Sequence, residues 1–135
     1  MPRPDEGGGS GSPRGVKKPA REILSRGENT LIARIWRGQT LATIADEYSK
    51  YLYEEGICAI AKIPGNRGVQ MLRSVLGDVA EFQVLSYWDS IEAIKRFAGD
   101  NYEQVRHLPN DFEYMIGAAP TVQHFEVVVN DWPQL

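Results

Sequence analysis

His107 is the side chain in this sequence best suited to moving a proton, because an imidazole titrates close to neutral pH. Two placements suit it. It is either a base or ligand in a pocket, or a partly exposed residue at a helix end, stabilised by the helix dipole. Arg34 stands inside the otherwise apolar run LIARIW, where an unpaired charge is costly to bury. It either faces a pocket and holds an anionic or phenolate oxygen, or pairs with a carboxylate such as Glu126 on an adjacent strand; pairing is the expectation. His124 reads as a hydrogen-bonded sheet residue. Trp36, Tyr48, Tyr51, Phe82, Trp88 and Phe97 are the rings available to line a pocket for planar molecules, with ordinary core packing the alternative for each. A base and a cation among aromatic rings are what is needed to deprotonate an electron-rich ring and hold the resulting anion.

Other chemistries lack their residues. The sequence has no G-x-G-x-x-G, P-loop, H-E-x-x-H or G-x-S-x-G, so nucleotide cofactors, zinc hydrolysis and serine nucleophiles have no support. A single cysteine, Cys58, excludes an intramolecular disulfide and a cysteine metal cage. It reads as a small apolar residue after a helix. Two histidines make a thin metal site, and none is expected.

Residues 1–21 carry Arg3, Arg14, Lys17, Lys18 and Arg21 against Asp5 and Glu6. The remainder holds 10 of the 15 basic and 16 of the 18 acidic side chains, a balance of −6 that repels phosphate backbones. Nucleic acid is therefore not an expected partner. No apolar run approaches the ~20 residues that cross a bilayer, and the N-terminus lacks the apolar segment of a secretory signal. The expectation is a soluble, cytoplasmic protein without a membrane partner.

The elements that must position these groups occupy one domain, residues 29–130. Ahead of it, residues 1–28 with the run GGGSGSPRG have linker composition and are expected to be disordered, whether as a natural tail, a cloning remnant or a misplaced start. Residues 131–135 form a short C-terminal tail. The pattern predicts a first strand, Leu31–Trp36, closed by Gly38. Thr40 then caps an amphipathic helix that carries Leu41, Ile44, Ala45, Tyr48 and Leu52 on one face and stops at Gly56. IPGNRG is a turn into the strand VQMLRSVL; Gly77-Asp78 turns it back into VAEFQVLSYW as a hairpin. Asp89 caps the next helix, with Glu92 completing a capping box. A helical piece over Tyr102–Leu108 and a last strand, Thr121–Val129, follow. The order β-α-β-β-α-β is that of a ferredoxin-like α+β protomer with a four-stranded antiparallel sheet. Met71 and Val75 fall on one side of their strand and Leu72 and Leu76 on the other, so the sheet is apolar on both faces, and a second copy of the chain is the economical cover.

LIARIW, PGNRG, the segment W-D-S-I-E-A-I-K-R-F-A-G and the late P-T-V-Q-H-F-E-V resemble the antibiotic biosynthesis monooxygenase family of the dimeric α+β barrel superfamily, over residues 31–129. The resemblance implies two ferredoxin-like protomers joined as a barrel, each with a pocket between sheet and helices. It also implies diverse activities, among them cofactor-independent oxygenation of electron-rich aromatics, haem degradation and quinol oxidation, and fold does not choose among them. Counted from the shared Trp88, the axial histidine of the haem-degrading branch falls on His107. That branch also carries a tryptophan where Phe97 stands and a first-strand asparagine where Ala33 or Arg34 stands, so haem cleavage loses two of its parts. The expectation is a cofactor-independent monooxygenase-type enzyme for a small electron-rich aromatic, with His107 and Arg34 as catalytic residues. The alternative is a non-catalytic ligand-binding or structural dimer, with haem a further alternative ligand.

Overall fold

The structure, a computed structural model, describes residues 30–132. The expected N-terminal tail lies outside the described residues. Residues 31–126 form the compact unit that holds every element below. Five strands make one antiparallel sheet: β1 (Ile32–Leu41), β2 (Asn66–Leu76), β3 (Val79–Trp88), β4 (Met115–Ala118) and β5 (Gln123–Glu126). The path is β2-β3-β1-β4, with β5 also on β1. β4 pairs with β1 at Gly38–Thr40 and β5 pairs with it at Ile32–Ile35, so the two short strands share one edge. The expected strand Thr121–Val129 is thus shorter, Gln123–Glu126, and an unexpected strand, Met115–Ala118, precedes it. Pro120, which has no amide to donate, stands between them, and residues 127–132 have no regular structure.

β1 runs five residues beyond its expected end. Gly38 does not close it; the Trp36 indole folds over Gly38, where a Cβ would meet the ring at 2.6 Å. Thr40 is consequently a buried strand residue rather than a helix cap. The helical segment is also longer than expected, a 3-10 turn (Ala42–Ile44), α1 (Ala45–Tyr51), a π-helical turn (Leu52–Ile57) and α2 (Cys58–Ala61). Gly56 lies inside the π turn, packed on Leu108 and Leu52, and Cys58 opens α2 rather than following a helix. Burial of Ile57 and Ile60 outweighs the ~1 kcal/mol that glycine costs a helix.

The 76–79 hairpin and its register follow the expectation, with Leu76 opposite Val79. At α3 (Ile91–Ala98) the cap is Ser90, whose Oγ accepts from the Ala93 N–H at 3.1 Å. Asp89 instead pairs with Arg67 at 3.0 Å. The expected helix over 102–108 is absent. Its backbone groups are taken elsewhere: Arg34 donates to the Tyr102 carbonyl, and the Val122 N–H donates to the Glu103 carbonyl at 2.9 Å. A one-turn helix, α4 (Asp111–Tyr114), follows.

Cross-strand register sorts the two sheet faces. Under the helices lie Trp88, Ser86, Val84, Phe82 and Ala80 of β3, all buried, with Arg34, Trp36, Gly38 and Thr40 of β1 opposite the last four. Tyr48 packs edge-on to Phe82 at 5.1 Å, while Trp88 stacks on Phe97 at 6.1 Å. The other face carries Ile35, Leu41, Leu72, Leu76, Leu85 and Phe125. Leu72 is 45% exposed, Phe125 51% and Leu76 86%, so among the described residues nothing covers this apolar face.

Candidate active site

A cavity of about 350 Å³ opens between the helix-side face of the sheet and the segments 52–63 and 96–111, all within residues 31–126. β1 contributes Arg34 and Trp36, the π turn Leu52, Gly56 and Ile57, α3 Phe97 and Arg96, and the irregular segment after α3 Arg106 and His107. The size suits a small organic ligand.

Arg34 is only 4% exposed. Its guanidinium donates to the Tyr102 carbonyl, meets His124 Nε2 at 3.1 Å and lies 3.5 Å from the Gln104 carbonyl. The expected partner Glu126 stands opposite Ile32 instead; the residue opposite Arg34 is His124. All three partners are neutral, so nothing offsets desolvation, and burial holds Arg34 down at about 10, still protonated at pH 7. The same burial, with the Arg34 charge behind it, lowers the His124 imidazole, and Glu103 opposes only part of this. His124 is therefore neutral and accepts from Arg34, as befits a sheet residue.

His107 is in the cavity wall, on an irregular segment rather than at a helix end. Its Nδ1 is buried, has no hydrogen bond, and lies 3.5 Å from Asp111 Oδ2. Asp111, 2% exposed, is fixed from two other sides: the Tyr48 hydroxyl donates to Oδ1 at 2.9 Å and the Leu108 N–H to Oδ2 at 2.8 Å. Burial first, then the Asp111 charge, raises the Tyr48 hydroxyl far above its ordinary range, so it remains a donor. A carboxylate beside one ring nitrogen favours the tautomer with hydrogen on Nδ1 and leaves Nε2 as the lone-pair nitrogen, the arrangement of a general base.

Of the rings expected in a pocket, Trp36 and Phe97 are in the wall. Tyr48 and Phe82 are fully buried in the core beside it, Trp88 is sealed by its Nε1 donating to Ser86 Oγ, and Tyr51 packs against Tyr114 while its hydroxyl accepts from the Asn110 N–H. Those four are not in the cavity wall, because each is taken up by packing or hydrogen bonds beside it. Asp111 and Arg106 were not expected. For Asp111 the available signal is its spacing of four from His107; for Arg106, one residue before His107, composition held none.

No family model matches the chain, and no curated protein matches it significantly. Solved structures do. A Bacillus cereus protein assigned as an antibiotic biosynthesis monooxygenase is similar at 16% identity and TM-score 0.54, over 78% of this chain and 100% of its own. A haem-degrading protein from Mycobacterium tuberculosis in its haem-free form is similar at 24% identity and TM-score 0.55, over 78% of this chain and 99% of its own. A variant of a protein named MhuD with two manganese protoporphyrins per active site gives 26% and 0.55, over 76% of this chain and 99% of its own. The chain shares the α+β fold of these structures. No helix among the described residues is long and apolar enough to cross a membrane, and no group of three metal-ligating side chains occurs among them.

Haem needs an axial ligand and groups that orient bound oxygen. The cavity wall offers His107 for the first. For the second it offers a phenylalanine, Phe97, which has no donor, and the Arg34 guanidinium where a neutral amide is needed. These residues do not fit haem cleavage.

Proposed function

We propose that the chain is a cofactor-independent monooxygenase-type enzyme acting on a small electron-rich aromatic, in a homodimer. The observation that carries the reading is one cavity walled by His107, Arg34, Trp36 and Phe97, with Asp111 behind the imidazole. His107 Nε2 takes the phenolic proton; Asp111, 3.5 Å from Nδ1, stabilises the imidazolium that forms. Arg34 holds the phenolate in a site where burial strengthens the attraction. The electron-rich ring then reacts with dioxygen. One oxygen atom enters the ring and the other leaves as water, so a phenol and dioxygen give a quinone and water with no further reductant.

The test is oxygen uptake with a panel of dihydroxyaromatics, with quinone absorbance followed in parallel. The expected result is uptake that His107→Ala lowers on the order of 10²-fold, as for loss of a general base. Uptake unchanged in His107→Ala overturns the assignment, and no uptake across the panel favours a binding protein without turnover. Haem binding is a second reading, supported by His107 in the wall and by the similarity to proteins that bind haem. Hemin is expected to bind weakly, with no ring-opened product when reductant is added; a Soret band lost in His107→Ala would favour haem.

The dimer rests on the apolar face of Leu41, Leu72, Leu76, Leu85 and Phe125, which a second sheet would cover. It leaves the cavity, on the opposite face, free.

A further inference from the structure

Among the described residues, Arg34 is a buried cation with only neutral partners. A guanidinium taken out of water loses several kcal/mol of solvation unless an anion replaces the solvent, and among the described residues no carboxylate lies within ion-pair distance of it. Its Nη1 is used by the Tyr102 carbonyl and His124, and its Nη2 makes only the 3.5 Å approach to Gln104. Donor capacity therefore remains on the side chain that forms part of the cavity wall. Nearby, the Arg34 and Arg106 guanidinium carbons each lie 5.5 Å from the centre of the Phe97 ring. Arg106 is exposed and has no ion pair among the described residues, so it stands toward solvent while Arg34 stands inside. Arg96, also in the wall, donates to the Pro64 carbonyl at 3.0 Å.

The acidic side chains of the wall do not neutralise these charges. Asp111 is engaged by Tyr48 and the Leu108 amide and faces His107. Glu55 is exposed. In a chain whose overall balance is −3, a cavity with three arginines in its wall and one of them buried runs against the composition.

We propose that the cavity takes an aromatic carboxylic acid, its ring against Phe97 and Trp36 and its carboxylate on the Arg34 guanidinium, with Arg106 adding a second positive charge beside it. This deepens the oxygenase reading and rests on it for the hydroxyl that such an acid would present to His107. The planar fork of an arginine matches a carboxylate in shape as well as charge. A neutral quinol of the same outline fills the same space but leaves Arg34 uncompensated.

The test measures binding, not turnover, so that its failure is separable from failure of the oxygenase reading. Calorimetric titrations at pH 7.5 compare 1-hydroxy-2-naphthoate with its methyl ester, an uncharged analogue of similar outline. The acid is expected to bind about tenfold tighter or better, the scale of one charge-assisted hydrogen bond. Arg34→Gln removes that preference, and Arg34→Lys restores part of it. Arg106→Gln, at an exposed position that does not endanger folding, lowers the acid's affinity by about threefold and not the ester's. Equal affinity of acid and ester for the unmodified protein overturns the proposal, as does no binding of the acid at millimolar concentration or an equal loss for both ligands in the arginine variants. Oxygen uptake with neutral quinols decides the oxygenase reading separately.

Discussion

Tyr48→Phe removes a single oxygen atom from a fully buried ring. The ring's packing on Phe82, 5.1 Å away and nearly perpendicular, is retained. What disappears is the 2.9 Å bond from the hydroxyl to Asp111 Oδ1. A hydrogen bond to a charged group contributes ~1.5–3 kcal/mol net, and a carboxylate oxygen left short of a donor in a buried site adds to the loss. The expected cost is therefore about 2–3 kcal/mol. At ~4–8 °C per kcal/mol for a domain of this size, Tm falls by roughly 10–20 °C. Urea unfolding at fixed protein concentration measures the change, with a steady m-value showing that the unfolded reference is unaltered. A double-mutant cycle with Asp111→Asn should return a coupling above ~1 kcal/mol. A loss below ~0.5 kcal/mol, or strict additivity in the cycle, refutes the view that Tyr48 anchors the carboxylate behind His107.

His124, held below its ordinary 6.5 by burial and then by Arg34, binds its proton more readily once unfolded. Its contribution to stability is thus full above pH ~6.5 and is lost as pH falls toward the lowered folded value. Tm measured from pH 7.5 to 5 should show this slope, and His124→Gln should remove that part of it. Gly65→Ala puts a Cβ 2.4 Å from the Ala93 Cβ at a φ of +94°, so a loss of at least ~2 kcal/mol in urea unfolding is expected. Leu72→Asp, on the uncovered sheet face, should give a monomeric mass in sedimentation, whereas the unmodified protein's unfolding midpoint should rise with concentration; a monomeric unmodified protein with a constant midpoint refutes the dimer.

The hairpin Asn66–Trp88 and the amphipathic α3 were legible because both signals are local: period-two apolar residues around Gly77-Asp78, and apolar spacing after Ser90. Elements decided by distant partners were not. Gly38 reads as a strand end until the Trp36 indole is seen lying over it, and Tyr102–Leu108 reads as a helix until Arg34 is found bound to one of its carbonyls. The site divides in the same way. His107 and Arg34 stood out by residue type in an unusual setting, and both are in the cavity wall. Asp111, in the turn-like run P-N-D-F, acquires its place only through Tyr48, sixty-three residues away in sequence. Of six aromatic rings only Trp36 and Phe97 line the cavity, because residue type does not tell a packed ring from one at a cavity wall.

Residues 99–110 contain neither helix nor strand, yet they supply one wall of the cavity. Among the described residues their ties to β1, to β5 and to the chain just before β5 are few: the Arg34 guanidinium on the Tyr102 and Gln104 carbonyls, the Tyr102 ring on His124, the Val122 amide on the Glu103 carbonyl, and a bridge from Gln104 to Thr121. A segment held by so few bonds opens at a fraction of the free energy needed to unfold the whole domain, so its amides are expected to exchange faster than those of β1 and β3. A guest that takes the Arg34 Nη2 competes with the Gln104 carbonyl, 3.5 Å away, for that donor. Loading the cavity and breathing of its wall therefore draw on the same side chain, and the exchange rate of the Tyr102–Gln104 amides becomes a gauge of occupancy that needs no chemistry to read.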